Sequence, residues 1–169
     1  MEFNEVLTTR RSIRSFTDQD IPADTITAIL EAAMTAPSAG NQQPWRFIII
    51  RDRQMLTAVP TVHPYAGMTA KAPVAILVCG APTGLKWPTF WPQDCSAATQ
   101  NILLAARNLD LGSVWVGIYP EEERMKGFRR LFSIPEEIVP FALIPLGWPK
   151  EGFTSVDRFN PALIREERW

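Results

Sequence analysis

The spacing of apolar and polar residues predicts a chain that alternates helices with short strands. Apolar side chains recur every three or four positions between residues 23 and 35, which is the repeat of an amphipathic helix. Phe3, Val6 and Leu7 follow the same spacing and predict a shorter helix before it. Four short apolar runs that contain strand-forming residues predict strands. These runs span residues 45–50, 73–79, 114–118 and 140–146.

Two further helices are predicted between these strands. Asp94 and Ser96 are suited to cap a long helix through Leu109, because their side-chain oxygens can accept hydrogen bonds from free backbone N–H groups. Residues 121–132 form a charged helix with acids at its start and arginines near its end, as the helix dipole favours. Together the elements predict one α+β unit, with helices on the faces of a central sheet.

The last segment of the chain carries apolar side chains but is too short to bury them itself. Its apolar residues are Phe153, Val156, Phe159, Leu163, Ile164 and Trp169. A second subunit is the first candidate for the surface that covers them, and packing on the same subunit is the alternative. We therefore expect a domain at residues 1–149 and, at residues 150–169, a C-terminal extension that wraps the partner of a homodimer.

Composition narrows the function of this single domain of 169 residues. A formal net charge of -1 argues against a protein that works by gripping nucleic acid. No apolar run approaches the roughly 20 residues of a membrane helix, and the first residues lack a secretory pattern, so a cytoplasmic location is expected. Cys79, Cys95 and the single histidine, His63, make neither a disulfide framework nor a metal site.

Residues 10–14, termed here the arginine segment, are the first candidate for chemistry. Arg10, Arg11 and Arg14 flank Ser12 within five positions. Guanidinium groups offer paired N–H donors that match phosphate oxygens, and the serine hydroxyl adds another donor. The segment is therefore a candidate phosphate site. A solvated basic turn is the alternative, since charged runs usually lie on the surface.

Residues 37–43, termed here the amide loop, are the second candidate. The small residues of this loop allow a flat ligand to approach the backbone. The amides of Asn41, Gln42 and Gln43 can both donate to and accept from a ring edge, and an isoalloxazine has such an edge. The alternative is a plain helix-to-strand connection, which Gly, Pro, Ser and Asn form routinely.

In this order and at this distance, the two segments resemble the nitroreductase family of FMN-dependent oxidoreductases. The first reads Arg-Arg-Ser-Ile-Arg, and the second leads into the strand as Pro-Ser-Ala-Gly-Asn-Gln-Gln-Pro-Trp-Arg-Phe. Weaker likenesses follow at residues 72–76, 94–106, 111–117 and 144–149. The resemblance covers nearly the whole chain, which is short for the family. It implies a mixed central sheet flanked by helices and an intertwined homodimer with two FMN sites at its interface.

The resemblance also implies which residues hold the phosphate of FMN. Arg10 and Ser12 would contact it, with Arg11 beside them in the same segment. Arg158, in the tail, would be a further phosphate contact. The resemblance thus predicts that three arginines and one serine hold the phosphate of FMN.

The resemblance places other residues around the flavin ring. Arg14 would lie near the pyrimidine edge, where a cation stabilises the charge of the reduced ring. The backbone at Val116 and Gly117 would lie close to flavin N5. The amide loop of the other subunit would contact the ring through Pro37, Ser38, Ala39 and Asn41. No side chain is expected to act as an essential acid or base, so no catalytic residue is assigned.

Two features leave alternatives open. Residues 86–92, termed here the aromatic segment, stand where larger family members have a long helical excursion over the substrate pocket. Trp87, Phe90 and Trp91 in this segment would form either an aromatic lid on the flavin or buried dimer contacts. His63 would be either a proton donor near the flavin or an ordinary loop histidine.

The expected chemistry is hydride transfer from NAD(P)H through flavin N5 to a small acceptor, a nitroaromatic or a quinone, by ping-pong turnover. No glycine-rich dinucleotide fingerprint is present, so NAD(P)H would bind transiently over the flavin. Three alternatives remain: another flavin reaction on the same scaffold, a flavin store or sensor without turnover, and a phosphate- or nucleic-acid-binding module. The net charge argues against the last.

Overall fold

The computed structural model describes residues 1–169 as five α-helices around one five-stranded sheet. The helices are α1 (Phe3–Thr9), α2 (Ala23–Met34), α3 (Arg53–Val62), α4 (Trp91–Asn108) and α5 (Glu122–Phe132). The strands are β1 (Trp45–Ile50), β2 (Val74–Gly80), β3 (Gly112–Ser113), β4 (Val116–Gly117) and β5 (Val139–Gly147). Short 3-10 turns occupy Ala39–Asn41, Gly67–Lys71, Pro88–Phe90 and Pro161–Leu163. The predicted α+β class is confirmed.

The sheet is organised around β5, which pairs with β2 on one side and with β3 and β4 on the other. β1 forms the far edge beside β2. All four ladders are antiparallel, so the mixed character implied by the resemblance is confined to one isolated parallel bridge between Ser12 and Ser113. The arginine segment, rather than a full strand, therefore supplies the parallel partner at this edge.

Both faces of the sheet are buried. Successive side chains of a strand point to opposite faces, so Val74, Ile76 and Val78 of β2 pack with α2 and α4, whereas Leu77 and Cys79 pack with α3 and α5. Strands buried on both faces read as continuous apolar runs, which is why the sequence pattern locates them well. No helix of the structure combines the length and the apolar character needed to cross a membrane.

The helix α3 occupies a stretch for which the sequence pattern predicts no element. Asp52 caps it by accepting a hydrogen bond from the Met55 N–H at 2.9 Å. Leu56 and Val59 lie on its inner side and are fully buried. Pro60 stands inside the helix near its end, where its missing N–H costs only one backbone hydrogen bond. Because Pro60 interrupts the helical pattern, the sequence does not reveal this short helix, which is stabilised by its cap and by burial.

The predicted strand at 114–118 is interrupted. β3 and β4 both pair with β5, but Val114 and Trp115 lie between them outside the ladder. Opposite this break, β5 contains Pro145, which has no N–H to donate to a neighbouring strand. The edge of the sheet is therefore two short segments, with a buried Val114 and a partly exposed Trp115 between them.

The C-terminal segment makes few contacts with its own subunit. The Arg107 guanidinium lies 3.9 Å from the centroid of the Phe153 ring, and the Val156 N–H donates to the Thr8 carbonyl at 3.2 Å. Beyond these contacts the apolar side chains are exposed. The exposed fractions are 75% for Phe159, 77% for Leu163, 53% for Ile164 and 101% for Trp169. The boundary at residue 149 and the exchange of the tail between subunits remain predictions.

Candidate functional site

The arginine segment follows α1 directly and runs along the edge of the sheet. The Ile13 N–H donates to the Ser113 carbonyl at 2.9 Å, which fixes the segment beside β3. The Ile13 side chain packs over Gly112, where an added Cβ would lie 2.6 Å from the Ile13 Cγ2 atom. This close approach leaves Ser12 and Arg14 exposed on either side of the half-buried Ile13.

The guanidinium groups of this segment have no acidic partner. Arg10, Arg11 and Arg14 form no ion pair with a carboxylate. Arg11 turns back onto the main chain and donates to the Arg10 carbonyl and, at 3.0 Å, to the Thr8 carbonyl. Burial lowers the pKa of the Arg10 guanidinium below its ordinary value, and the like charges of Arg158 and Arg11 lower it further. The cluster is thus suited to bind an anion.

A cavity of about 220 Å³ places Arg14 next to β4. Its lining residues are Arg14, His63, Tyr65, Met68, Val114, Trp115, Val116, Gly117 and Arg124. The structure therefore brings three of the sequence-predicted site residues, Arg14, Val116 and Gly117, to one cavity. It also adds Arg124 of α5, which sequence reasoning assigned only to a charged surface helix. No residue of the amide loop lines this cavity.

His63 is buried, and its ring is hydrogen-bonded to the main chain. It is buried at the end of α3, and its Nε2 atom lies 2.9 Å from the Gly117 carbonyl oxygen. Arg124 Nη1 donates to the same oxygen at 3.1 Å. The proton-donor interpretation of His63 is not supported by this geometry, because both ring nitrogens have backbone partners, the Gly117 carbonyl at Nε2 and the Tyr65 N–H at Nδ1.

The amide loop stands at the other end of the sheet, before β1. Ser38 Oγ accepts from the Gln43 N–H at 3.0 Å, and Asn41 Oδ1 accepts from Gln43 Nε2 at 3.2 Å. Gly40 and Asn41 both have φ of 56°, a left-handed conformation that glycine and asparagine adopt more readily than other residues. Pro37 is exposed at the start of the loop. The loop is thus a tight, self-bonded turn.

Asp94 holds this loop in place, and this role replaces the helix cap predicted for it. α4 begins three residues earlier, and the buried Asp94 carboxylate accepts from the Ala39 N–H and from Gln42 Nε2, both at 2.9 Å. The predicted cap at Ser96 is also wrong, since its hydroxyl donates to the Pro92 carbonyl within the helix. Gln42 is therefore a structural residue rather than a reader of a ring edge.

In the aromatic segment, Trp87 is hydrogen-bonded to the amide loop and Trp91 is buried in the core. Gln42 accepts from the Trp87 N–H at 3.2 Å and donates to the Trp87 carbonyl at 3.0 Å, so the segment is tied to the amide loop. Trp87 and Phe90 remain 47% and 43% exposed. Trp91 is buried in the core, packed against Gly80 and Phe141, and belongs to neither a lid nor a dimer contact.

The two candidate segments lie at opposite edges of the sheet. Trp45, at the end of the amide loop, pairs with Gly80, which pairs with Val139. Ser113, beside the arginine segment, pairs with Leu146. Four strand spacings, with the arginine segment pairing outside β3, then separate the segments by about 19 Å across the sheet, and seven residues of β5 separate them by about 23 Å along it. One chain therefore presents the two candidate segments on different regions of its surface.

Replacing Asp94 with asparagine is expected to destabilise the fold by about 2 kcal/mol, because one oxygen acceptor becomes an N–H₂ donor facing another donor. Trp87 fixes the orientation of the Gln42 amide, so Gln42 cannot turn to compensate. Denaturant unfolding measures the change. Asp18→Asn, at an exposed carboxylate, is the control and should stay within about 0.5 kcal/mol of the parent. Equal stabilities of the two variants would contradict the assigned role.

The two cysteines are expected to resist thiol reagents in the native state. Burial raises the pKa of Cys79 and of Cys95 to about 12, so both remain protonated at pH 8. An unfolded thiol loses its proton near pH 8.5. The native state therefore holds more protons above that pH, and stability should fall as pH rises from about 9 toward 12. Labelling should reach both thiols in denaturant and neither in buffer, and stoichiometric native labelling would contradict the assignment.

The sequence and the fold both match known proteins. The family model described as Nitroreductase family matches residues 7–60 and 59–148. A Methanothermobacter thermautotrophicus protein, provisionally named NADH dehydrogenase/NAD(P)H nitroreductase, is 53% identical over 169 residues, covering 100% of this chain and 88% of that protein.

Two solved structures show the same architecture. A Clostridium acetobutylicum protein, provisionally named NADH oxidase, has a TM-score of 0.94 at 39% identity, covering 97% of this chain and 99% of its own. A Desulfovibrio desulfuricans protein, provisionally named a nitroreductase and solved in complex with FMN, has a TM-score of 0.85 at 32% identity, covering 100% of this chain and 98% of its own. Since the family model and the relative both extend over most of its length, this chain belongs to the nitroreductase family.

Proposed function

We propose that this protein is an FMN-dependent oxidoreductase that takes hydride from NADH or NADPH and passes it to a small aromatic acceptor, a nitroaromatic or a quinone. One observation carries the proposal. A cluster of arginines without a carboxylate partner leads, within five residues, to a cavity beside an unhindered glycine. A phosphate fits the first part of this arrangement, and a flat ring fits the second.

The arginine cluster fits the phosphate arm of FMN. Arg10 is partly buried, and this burial lowers the pKa of its guanidinium, with the like charges of Arg158 and Arg11 lowering it further. A bound phosphate dianion would relieve that repulsion and accept several charge-assisted hydrogen bonds. Ser12, exposed next to them, offers a hydroxyl donor. These four residues are the proposed phosphate contacts.

The cavity at β4 fits the ring of FMN. An added Cβ on Gly117 would meet no atom within 4 Å, so this position leaves open space where a ligand can approach the backbone. Arg14 lines the same cavity and places a cation where negative charge accumulates on reduction. Bound FMN supplies a reversible hydride acceptor. The residues of the chain supply orientation, charge and exclusion of water.

A homodimer would complete the site. Because the amide loop and the arginine segment lie at opposite edges of one sheet, the loop of a second subunit is the proposed source of the ring contacts from Pro37, Ser38, Ala39 and Asn41. The exposed apolar residues of the C-terminal segment support the same arrangement, since a partner surface would bury them. Two equivalent sites follow from twofold symmetry.

The proposed turnover is ping-pong, with donor and acceptor occupying one open ring face in turn. Each must place its reacting atom about 3–3.5 Å from the ring. No free acid or base lies beside Gly117, because His63 is engaged with the main chain. Trp87, exposed and clamped to the amide loop, is a candidate wall for aromatic acceptors. The chain would therefore position the acceptor without supplying an acid or base to it.

An anaerobic reductive titration tests the proposal. Protein loaded with FMN is mixed with NADH or NADPH, and the visible flavin absorption is followed. Loss of the band, and its return when a nitroaromatic or quinone is added, is the expected result. A band that persists with both donors would favour the storage or sensor interpretation. A protein that takes up no FMN would overturn the proposal.

A further inference from the structure

The Gly117 main chain needs an external restraint to keep a fixed orientation. β4 contains only Val116 and Gly117, and it lies at the edge of the sheet. Gly117 has no side chain to pack, and glycine populates a wide range of backbone angles. A short edge strand ending in glycine would be expected to vary in conformation unless other groups hold it.

The ladder directs the polar groups of Gly117 into the cavity. The next residue, Ile118, donates its N–H to the Phe141 carbonyl of β5 at 3.0 Å. Adjacent residues of an antiparallel strand point their N–H and C=O groups to opposite sides. The N–H and C=O of Gly117 therefore point away from β5, toward the cavity that Gly117 lines.

His63 donates to the Gly117 carbonyl, and its tautomer is set by a second contact. The Tyr65 N–H lies 3.3 Å from His63 Nδ1, so Nδ1 accepts and the neutral ring carries its proton on Nε2. Nε2 then donates to the Gly117 carbonyl at 2.9 Å. The ring is 2% exposed and packs edge-on against Phe128 at 6.4 Å between centroids. The donor is therefore fixed in position.

Arg124 supplies a second donor to the same oxygen from a different element. Its Nη1 atom lies 3.1 Å from the Gly117 carbonyl, and its guanidinium stands 5.7 Å from the Tyr65 ring centroid. His63 belongs to the end of α3 and Arg124 to α5, so two separate helices restrain one carbonyl. Restraint from two directions fixes a peptide more firmly than either hydrogen bond alone.

We propose that His63 and Arg124 are positioning residues, which hold the Gly117 carbonyl and so limit rotation about the Gly117 backbone, which keeps the N–H of the preceding peptide group a fixed donor toward the flavin ring. This inference rests on the proposed function, because it concerns how the main chain meets FMN. His63 acts through the Gly117 backbone and not through proton transfer. The predicted consequence is that loss of either donor changes the properties of bound FMN, and not only the stability of the protein.

A matched pair of substitutions separates positioning from packing. His63→Leu removes the donor, whereas His63→Gln keeps an N–H at a similar distance from the backbone. In the leucine variant the FMN dissociation constant should rise about tenfold, the value of one hydrogen bond, and the flavin reduction potential should fall. The glutamine variant should recover most of both properties. Arg124→Met should shift both in the same direction, and Arg130→Met, at an exposed position on α5, should shift neither.

A measurement on protein without FMN provides an independent readout. In protein labelled with ¹⁵N-glycine, the Gly117 amide resonance should move and broaden in His63→Leu and Arg124→Met, and should stay in place in Arg130→Met. If His63→Leu does not fold, Arg124→Met alone decides the question, because it leaves the buried histidine intact. Unchanged resonance, affinity and potential in a folded variant would overturn this inference while leaving the proposed function standing. A parent protein that does not take up FMN would overturn both.

Discussion

Replacing Arg10 with methionine is expected to weaken FMN binding about a hundredfold. Arg10 forms no ion pair and feels the like charges of Arg11 and Arg158, and charge-assisted hydrogen bonds to phosphate each contribute about 1.5–3 kcal/mol. Methionine preserves much of the apolar stem, which limits the effect on packing. Titration of the FMN-free protein with FMN, followed by flavin fluorescence, measures the change in dissociation constant.

Riboflavin provides the control for this prediction, because it carries the same ring without the phosphate. Its affinity should be nearly equal in the parent and in Arg10→Met. Arg130→Met, which removes an exposed arginine outside the cluster, should leave both affinities unchanged. If Arg10→Met lowers the affinity for riboflavin as much as for FMN, the role assigned to Arg10 is wrong.

Replacing the four exposed apolar residues of the tail with serine is expected to convert a dimer to monomers. Phe159, Leu163, Ile164 and Trp169 are at least half exposed in the single chain, and burial of such side chains contributes about 1.5–3 kcal/mol each. Their loss should raise the dimer dissociation constant by roughly a thousandfold or more. Sedimentation velocity over a range of protein concentrations measures the change.

The control for the tail changes polar residues in the same segment. Glu166→Ser and Glu167→Ser alter charge but remove no apolar surface, so the dimer should persist. Flavin content provides a second readout, because the proposed site needs residues from both subunits. A parent protein that sediments as a monomer while holding FMN would contradict the proposed tail exchange.

The sequence pattern located the elements whose apolar residues form one continuous run or one helical face. β1 matches the predicted strand at 45–50, and α2 ends one residue before the predicted helix at 23–35. α2 was located by the helical repeat of its buried residues, and β1 by a short run of strand-forming apolar residues. α3 escaped prediction because Pro60 interrupts its pattern. The split of the edge strand escaped because its cause, Pro145, lies on the neighbouring strand.

The two segments of the candidate site could be predicted from local composition, but the residues that hold them could not. Asp94 meets the Ala39 N–H across 55 positions of sequence, and His63 meets the Gly117 carbonyl across 54. Nothing in the neighbourhood of Asp94 distinguishes it from a helix cap. Contacts to backbone groups carry no sequence signature on the partner side, so only the fold reveals them.

The positions of the arginine segment and the amide loop relative to each other come from the fold and not from the sequence. The resemblance implies that one ring contacts the arginine segment of one subunit and the amide loop of another. In the structure these parts lie at opposite edges of the sheet, so a site within one chain would leave one of them unused. If each site is shared between two subunits, two variants that are defective in different segments should complement each other, whereas sites within one chain would not allow this.

Complementation between two defective variants tests this central claim most directly. Arg10→Met disables the phosphate half-site, and Gly40→Val disables the amide loop, since valine is strained at φ of 56° and would press on Trp87. Each variant alone should bind little FMN. Refolded together in equal amounts, they should recover about a quarter of the parent's FMN sites, because half of the dimers are mixed and each has one intact site. Recovery of no sites from the mixture, while the parent binds FMN as a dimer, would contradict the shared site.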